Sequence, residues 1–388
     1  CVDANGALGG FANVNTILMG ACFMVASGFR RTSLVKLMCD WLLKLTNGSF
    51  MKVYFGYLLL GVLLTNFMNS PMVVYAIIGP LLCALCDRTG YSRSKYIFPL
   101  MVIVVACCFA LPLPTSIQKA GEFNGYLETY QFTGLEFTPI SFFFARFPVI
   151  ILCLIWAMTI GPKMCPQQAV SDLAEIEEQK DISSKLSPTV DRIGIVIFIV
   201  TMLGLIFSTQ LHIASWWIAL AGSILMAMFG VVDQKKALSE IPWEMLILYA
   251  GALALGNGLV NTGAGEAIGG WLAAAVGGTH NNYLLGALFF VIPFLMTQFM
   301  LNRSVQAVFI PICLLTCQSL GAAPMGLVMC VASACQTAFM TPMATPAVAM
   351  CMGEGGYDLK ALFKSGWLIC VLLSIVNVAY TMTVYPAF

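Results

Sequence analysis

The sequence predicts an all-α membrane protein made of two inverted repeats, each with a re-entrant helical hairpin followed by a broken transmembrane helix. Three observations carry that prediction. The chain is 60% hydrophobic and 10% charged, with a mean hydropathy of +0.89; soluble domains run near about 25% charged, so lipid is the solvent that fits. The chain also matches itself at a spacing of 230 residues. Gly28 and Thr32 match Gly258 and Thr262, Trp41-Leu42 matches Trp271-Leu272, and Gly48 and Gly56 match Gly278 and Gly286. Phe109, Pro112 and Thr115 match Phe339, Pro342 and Thr345, and Gly125 matches Gly355. Chance similarity between apolar sequences does not share Trp, Gly and Pro punctuation at one spacing. Finally, each copy carries an apolar stretch interrupted by polar residues, and a Pro/Thr cluster follows it. Duplicated membrane halves are the ground plan of secondary transporters, with the site where the repeats meet.

Apolar runs of about 20 residues cross the hydrocarbon core as helices. In chain order the expected spans are Asn13 to Phe29, Tyr96 to Leu111, Pro139 to Gly161, Ile193 to Gln210, Ile213 to Val232, Trp243 to Val260, Met325 to Thr341 and Trp367 to Tyr385. Ser49 to Cys86 and Asn281 to Gln318 read differently. Each is split by a polar tip, Thr65 to Pro71 in the first and Thr297 to Ser304 in the second. A re-entrant hairpin accounts for this, because irregular backbone at that depth must face protein or a water-filled cavity. Leu34 to Leu45, with Lys36, Asp40 and Lys44, reads as an interfacial amphipathic helix, and its repeat partner is Ala264 to Val276. The acidic stretch Pro162 to Arg192 reads as the joining loop. The expected division is residues 1–162, a linker at 163–191, and 192–388.

With the hairpins re-entrant and the amphipathic helices interfacial, one face collects the basic residues, leaving only Lys119, Arg146 and Arg303 elsewhere. Cytoplasmic loops hold the Lys/Arg excess, so the linker is expected in the cytoplasm and the C-terminus outside. An odd number of crossings separates the repeats, which makes them inverted. The helices at Ile193 and Ile213 have partners that would fall before residue 1, so the first repeat is expected to lack two helices. The chain starts at Cys1 and shows no signal peptide. Most of the 15 cysteines lie in apolar runs and read as small buried hydrophobes. The net charge of +1 and the lack of a basic patch exclude nucleic acid as a partner.

Chemistry concentrates at the two tips and the two breaks, Leu111 to Ser116 and Thr341 to Pro346. Proline frees a carbonyl of the preceding turn. Broken helices therefore offer carbonyls and hydroxyls to cations, and helix N-termini to anions. The alternative is that the prolines only kink helices and the polar side chains only hold them together. The candidate substrate set is Asn69, Ser70, Asn302, Arg303, Ser304, Thr115, Thr345 and Pro346. The candidate cation set is Asn69, Thr65, Pro112, Thr115, Asn302, Thr341 and Thr345. No catalytic residue, cofactor or structural metal is expected; sodium is a candidate coupling ion.

The pairs Asn302 to Pro311 with Phe339 to Pro346, and Phe67 to Pro71 with Pro112 to Ser116, resemble the divalent anion:sodium symporter family of the ion transporter superfamily. Gly251 to Gly263 is also similar to that family's helix and turn before the second hairpin. The resemblance implies an elevator-type, homodimeric transporter in the lipid bilayer, with sodium-coupled uptake of a dicarboxylate, a tricarboxylate or sulfate. The chain departs from the family where Met68 and Leu301 replace serines of the tip motifs and Arg303 replaces a threonine. Arginine near the bilayer midplane is costly and functional, and its fork suits a carboxylate. Arg303 is thus expected to bind the anion and to weaken or replace the sodium site beside it; the alternative is that it snorkels outward or pairs with Glu266. Arg146, near the outer end of its helix, is expected to snorkel. Glu122, Asn124, Glu128 and Glu136 are expected in a solvated loop. Gln336 and Thr337 either line the site or bond a neighbouring helix.

Competing functions are an arsenite or sodium/proton antiporter of the same superfamily, and a non-transporting membrane protein. An enzyme is not expected. Two histidines cannot supply a His-Glu-x-x-His metal helix, and the spans hold almost no acids for aspartyl chemistry.

Overall fold

A computed structural model describes residues 11–33, 49–68, 70–170, 186–206, 213–233 and 281–388, with residues 8, 9, 211, 243, 246, 247, 250, 251, 254 and 262 besides. Among these the only regular structure is helical. The two amphipathic helices, most of the Gly251 to Gly263 stretch, most of the Trp243 to Val260 span and the middle of the linker lie outside the described residues.

The helices follow the apolar runs. They are α1 (Val14–Arg31), α2 (Phe50–Phe67), α3 (Pro71–Thr89), α4 (Arg93–Ala106), α5 (Pro114–Thr129), α6 (Pro139–Thr159) and the single turn α7 (Gly161–Met164). After the linker come α8 (Pro188–Ile206), α9 (Ser215–Met228), α10 (Asn282–Thr297), α11 (Asn302–Leu320), α12 (Met325–Cys335), α13 (Pro346–Gly355) and α14 (Leu359–Val384). Six of them, α2, α3, α6, α8, α11 and α14, are long and apolar enough to cross a membrane. The chain is a multi-pass membrane protein. Both hairpins form as expected, α2–α3 and α10–α11, and each second arm ends on a left-handed glycine, Gly90 (φ 74°) and Gly321 (φ 65°). Both breaks form too, α4 ending at Ala106 before α5, and α12 ending at Cys335 before α13. α14 starts well before the expected Trp367, because the Asp358 carboxylate accepts the Ala361 N–H at 2.7 Å and caps two extra turns.

The chain divides into two compact units, and each draws on both halves of the sequence. The first comprises residues 1–41, 112–140 and 178–265. Within it α1 packs on α9, with Gly28 against Met226, and the Phe29 and Phe198 rings stack at 4.3 Å. Asp191, at the start of α8, accepts the Ser33 amide at 2.7 Å and the Ser33 hydroxyl at 2.5 Å. The acidic stretch expected as a solvated loop begins instead as helix α5. The spacing of Gln118, Lys119 and Glu122 places them on its buried face, where Lys119 and Glu122 pair at 2.7 Å. Asn124 then closes the following turn by bonding both backbone groups of Phe137.

The second unit comprises residues 42–111, 141–177 and 266–388. Its centre is made by the first arms of the two broken helices. Every residue from Ile97 to Ala110 and from Gly326 to Phe339 is buried. Helices apolar all round belong in such a core. α14 flanks it and presents Leu359, Phe363, Trp367, Val371 and Ile375 outward at a four-residue spacing, a stripe suited to lipid. Hairpin α2–α3 is tied to α13 by the Tyr75 hydroxyl, which donates to the buried Glu354 carboxylate at 2.9 Å. Glu354 is a buried acid in a segment that reads as apolar in sequence. The twelve cysteines whose side chains are described are buried and form no disulfide, in accord with their reading as hydrophobes.

Candidate functional site

Within the second unit each hairpin tip is hydrogen-bonded to the break that follows it. At the first tip, the Thr65 hydroxyl donates to the Val104 carbonyl at 2.6 Å. The Asn66 amide donates to the Cys107 carbonyl at 2.9 Å, and its oxygen accepts the Leu111 N–H at 2.9 Å. Thr65 and Asn66 are fully buried. A helix end leaves carbonyls without intrahelical donors, and these two side chains satisfy them at the end of α4. Phe109 in that break adopts a left-handed backbone (φ 46°), a conformation that costs free energy in a non-glycine residue and collects at functional sites.

The second tip repeats the scheme with different atoms. The Thr297 hydroxyl donates to the Asn302 side-chain oxygen at 2.5 Å. The Thr341 hydroxyl donates to the Gln298 carbonyl, and the Asn302 N–H donates to the Ala344 carbonyl at 3.3 Å. Thr345 is buried and forms the N-cap of α13 with no capping bond from its side chain; Pro346 opens that helix. Three buried amide oxygens in this half, on Gln298, Gln336 and Asn377, accept no hydrogen bond among the described residues. Thr337, by contrast, donates to the Ala334 carbonyl of its own turn at 2.7 Å, and its carbonyl accepts the Cys370 thiol of α14.

Thr65, Asn302, Ser304, Thr341, Thr345 and Pro346 all lie at the tips or the break of the second unit. Ser70 stands at the N-cap position of α3 there, with no capping bond from its side chain. Pro112 and Thr115 belong to the first unit, where Thr115 is buried in the first turn of α5. Asn69 is outside the described residues. Arg303 is exposed and stands second in α11, in the first turn of a helix, where a cation opposes the helix dipole and an anion suits it.

Arg146 does not snorkel. It is 0% exposed. One guanidinium nitrogen donates to the Ser333 hydroxyl of α12 at 2.6 Å, and the other to the Ala106 carbonyl, the last of α4, at 2.7 Å. Its carbon lies 4.4 Å over the centre of the Phe109 ring. The expectation failed because Arg146 was placed by its depth in the helix, whereas the face of α6 it shares with Phe142, Val149 and Cys153 turns inward. Asn66 was also missed as a site residue. Its counterpart in the repeat is Gln298, and the paired Thr-Asn and Thr-Gln before Phe-Met was the signal available. A cleft of about 630 Å³ lined by Lys163, Cys165, Lys360 and Lys364 includes none of these residues.

These features, two helical hairpins each bonded to a broken helix in an apolar multi-pass fold, are those of a membrane transporter. The chain belongs to the citrate transporter family (CitMHS), whose match covers residues 1–302 and again 202–388. That family is one of transporters, not of enzymes. An uncharacterized transporter of Haemophilus influenzae is 26% identical over 96% of this chain and 82% of its own length. The uncharacterized transporter sll0640 of Synechocystis is 27% identical over 56% of the chain, and the match spans only 35% of that relative. A sodium-dependent low-affinity dicarboxylate transporter of Caenorhabditis elegans is 28% identical over 38% of the chain and 26% of its own length. Among solved structures, the Alcanivorax borkumensis YdaH transporter superposes with a TM-score of 0.72 at 16% identity, over 98% of this chain and 89% of that one. The expected fold class, all-α with repeated hairpins and broken helices as in elevator-type transporters, is the one found.

Proposed function

We propose that the protein is a secondary active transporter of a small carboxylate anion, a di- or tricarboxylate, coupled to sodium and working as a homodimer in the cell membrane. Its linker faces the cytoplasm and its C-terminus the outside. One observation carries the reading: each hairpin tip is bonded to a helix break, so that neutral oxygens and helix starts of the kind that take a cation and a carboxylate occur together. In this reading Asn302, Thr341 and Thr345 serve the cation. The starts of α3, α11 and α13, with Ser70, Asn69, Ser304 and Pro346, serve the anion. Arg303 contributes the fixed positive charge. The family match and the dicarboxylate relative support the substrate class.

The test is thermal stabilisation of the purified protein by citrate, succinate and sulfate, with and without sodium, alongside uptake by an Arg303→Thr variant. Stabilisation by a carboxylate that grows with sodium, together with weakened uptake by the variant, is the expected result. Uptake by the variant at parental rate and sodium dependence removes Arg303 from the site. No stabilisation by any of the anions removes the substrate assignment.

A further inference from the structure

Every carbonyl at the end of α4 is already engaged. The Ile103 carbonyl accepts the Cys107 N–H, and the Val105 carbonyl accepts the Cys108 N–H. The Val104 carbonyl accepts the Thr65 hydroxyl, the Cys107 carbonyl accepts the Asn66 amide, and the Ala106 carbonyl accepts Arg146. Four of these five donors are neutral. The fifth carries a full charge in the most buried part of the unit, and among the described residues its hydrogen bonds go only to uncharged oxygens, with no carboxylate in an ion pair with it.

Burying an unpaired guanidinium is expensive, and three things offset the cost here. The C-terminal end of α4 presents the negative end of the helix dipole. The Phe109 ring face lies beneath the charge. The Ser333 hydroxyl ties it to the other broken helix. These are also the features that would hold a desolvated monovalent cation. The second repeat has nothing similar. α14, the counterpart of α6, has no Lys or Arg after Lys364; its buried polar residues, Ser365, Asn377 and Thr381, are all uncharged.

We propose that Arg146 is a tethered cation: its guanidinium occupies the place of a coupling ion at the first helix break and holds Phe109 in its left-handed conformation. The first repeat therefore takes up no sodium, and ion coupling is confined to the second repeat. The inference rests on the transporter reading only for its consequence for coupling; the occupancy of the break by charge stands without it.

The experiment is thermal melting of the full chain in detergent without substrate, titrated with sodium, choline or low-millimolar guanidinium chloride. Parent, Arg146→Met and Arg146→Lys are compared. The parent is expected to bind about one sodium ion per chain or none, counted by equilibrium binding of radioactive sodium, since a homodimer with one site in each chain can respond steeply without a second site in either. Arg146→Met is expected to melt lower in choline and to recover in sodium or guanidinium, gaining one cation dependence that the parent lacks. Arg146→Lys keeps the parental response. Binding of about two sodium ions per chain by the parent overturns the proposal whatever the variants do, including a Met variant that fails to fold. So does a Met variant with the parent's cation dependence, or equal loss in Met and Lys variants with no recovery by any cation. Uptake of citrate and succinate by parental proteoliposomes, run in parallel, tests the transport reading separately.

Discussion

Asn66→Leu is the substitution whose cost follows most directly from the geometry. The side chain is fully buried and makes one local bond, to the Val62 carbonyl, and two that cross to the first break. Leucine fills similar space but strands the Cys107 carbonyl and the Leu111 N–H. Each buried orphan costs about 1–3 kcal/mol, while polar contacts inside membrane proteins have measured lower, about 0.6–1.7 kcal/mol each. The two together give about 2–4 kcal/mol, or a fall of about 5–10 °C in melting temperature for a unit of this size. Thr65→Val loses only the bond to the Val104 carbonyl and is expected to cost about 1 kcal/mol. Because the two residues serve the same turn, the double variant should depart from additivity. Thermal melts of the four proteins in one detergent give both numbers. An Asn66→Leu protein that melts with the parent would refute the claim that the tip holds the break.

Gly326→Ala places a Cβ against the Tyr385 backbone carbonyl, which cannot yield as a side chain would, and is expected to cost about 1–3 kcal/mol by melting. Thr297→Val removes the donor to Asn302 and is expected to lower sodium-induced stabilisation while leaving the choline melt within about 1–2 kcal/mol. Burial pushes the Cys165 thiol, beyond the end of α7, up to about 12. Its alkylation, read by peptide mass spectrometry, should therefore stay slow as pH rises past the ordinary thiol value of about 8.5, whereas the unfolded chain reacts quickly. The linked stability is present below the unfolded value and is lost as pH climbs from there towards the folded one, because only the unfolded chain gives up the proton in that window.

Most of the fold was legible because lipid demands long apolar helices and because the duplication reports each element twice. The hairpins, the breaks and α6 could be placed from punctuation alone. Boundaries drifted where a local cap acts, as Asp358 does for α14. Polar residues were harder. A buried arginine and a snorkelling one look alike in sequence, since the difference lies in which face of α6 turns inward, and neither hydropathy nor depth encodes that. The same blindness hid Lys119 and Glu122 on α5 and Glu354 on α13. Asn66 was overshadowed by Asn69 because motif likeness pointed to the latter, while Asn66 is tied to the break by hydrogen bonds that only coordinates reveal.

The central claim is transport of a carboxylate driven by an ion gradient. Uptake of labelled citrate, succinate and sulfate into proteoliposomes of the parental protein, with sodium outside or with choline in its place, tests it most directly. Accumulation of a di- or tricarboxylate that needs the inward sodium gradient is the predicted result. Liposomes that take up none of the three anions above the protein-free background, with or without sodium, would contradict it.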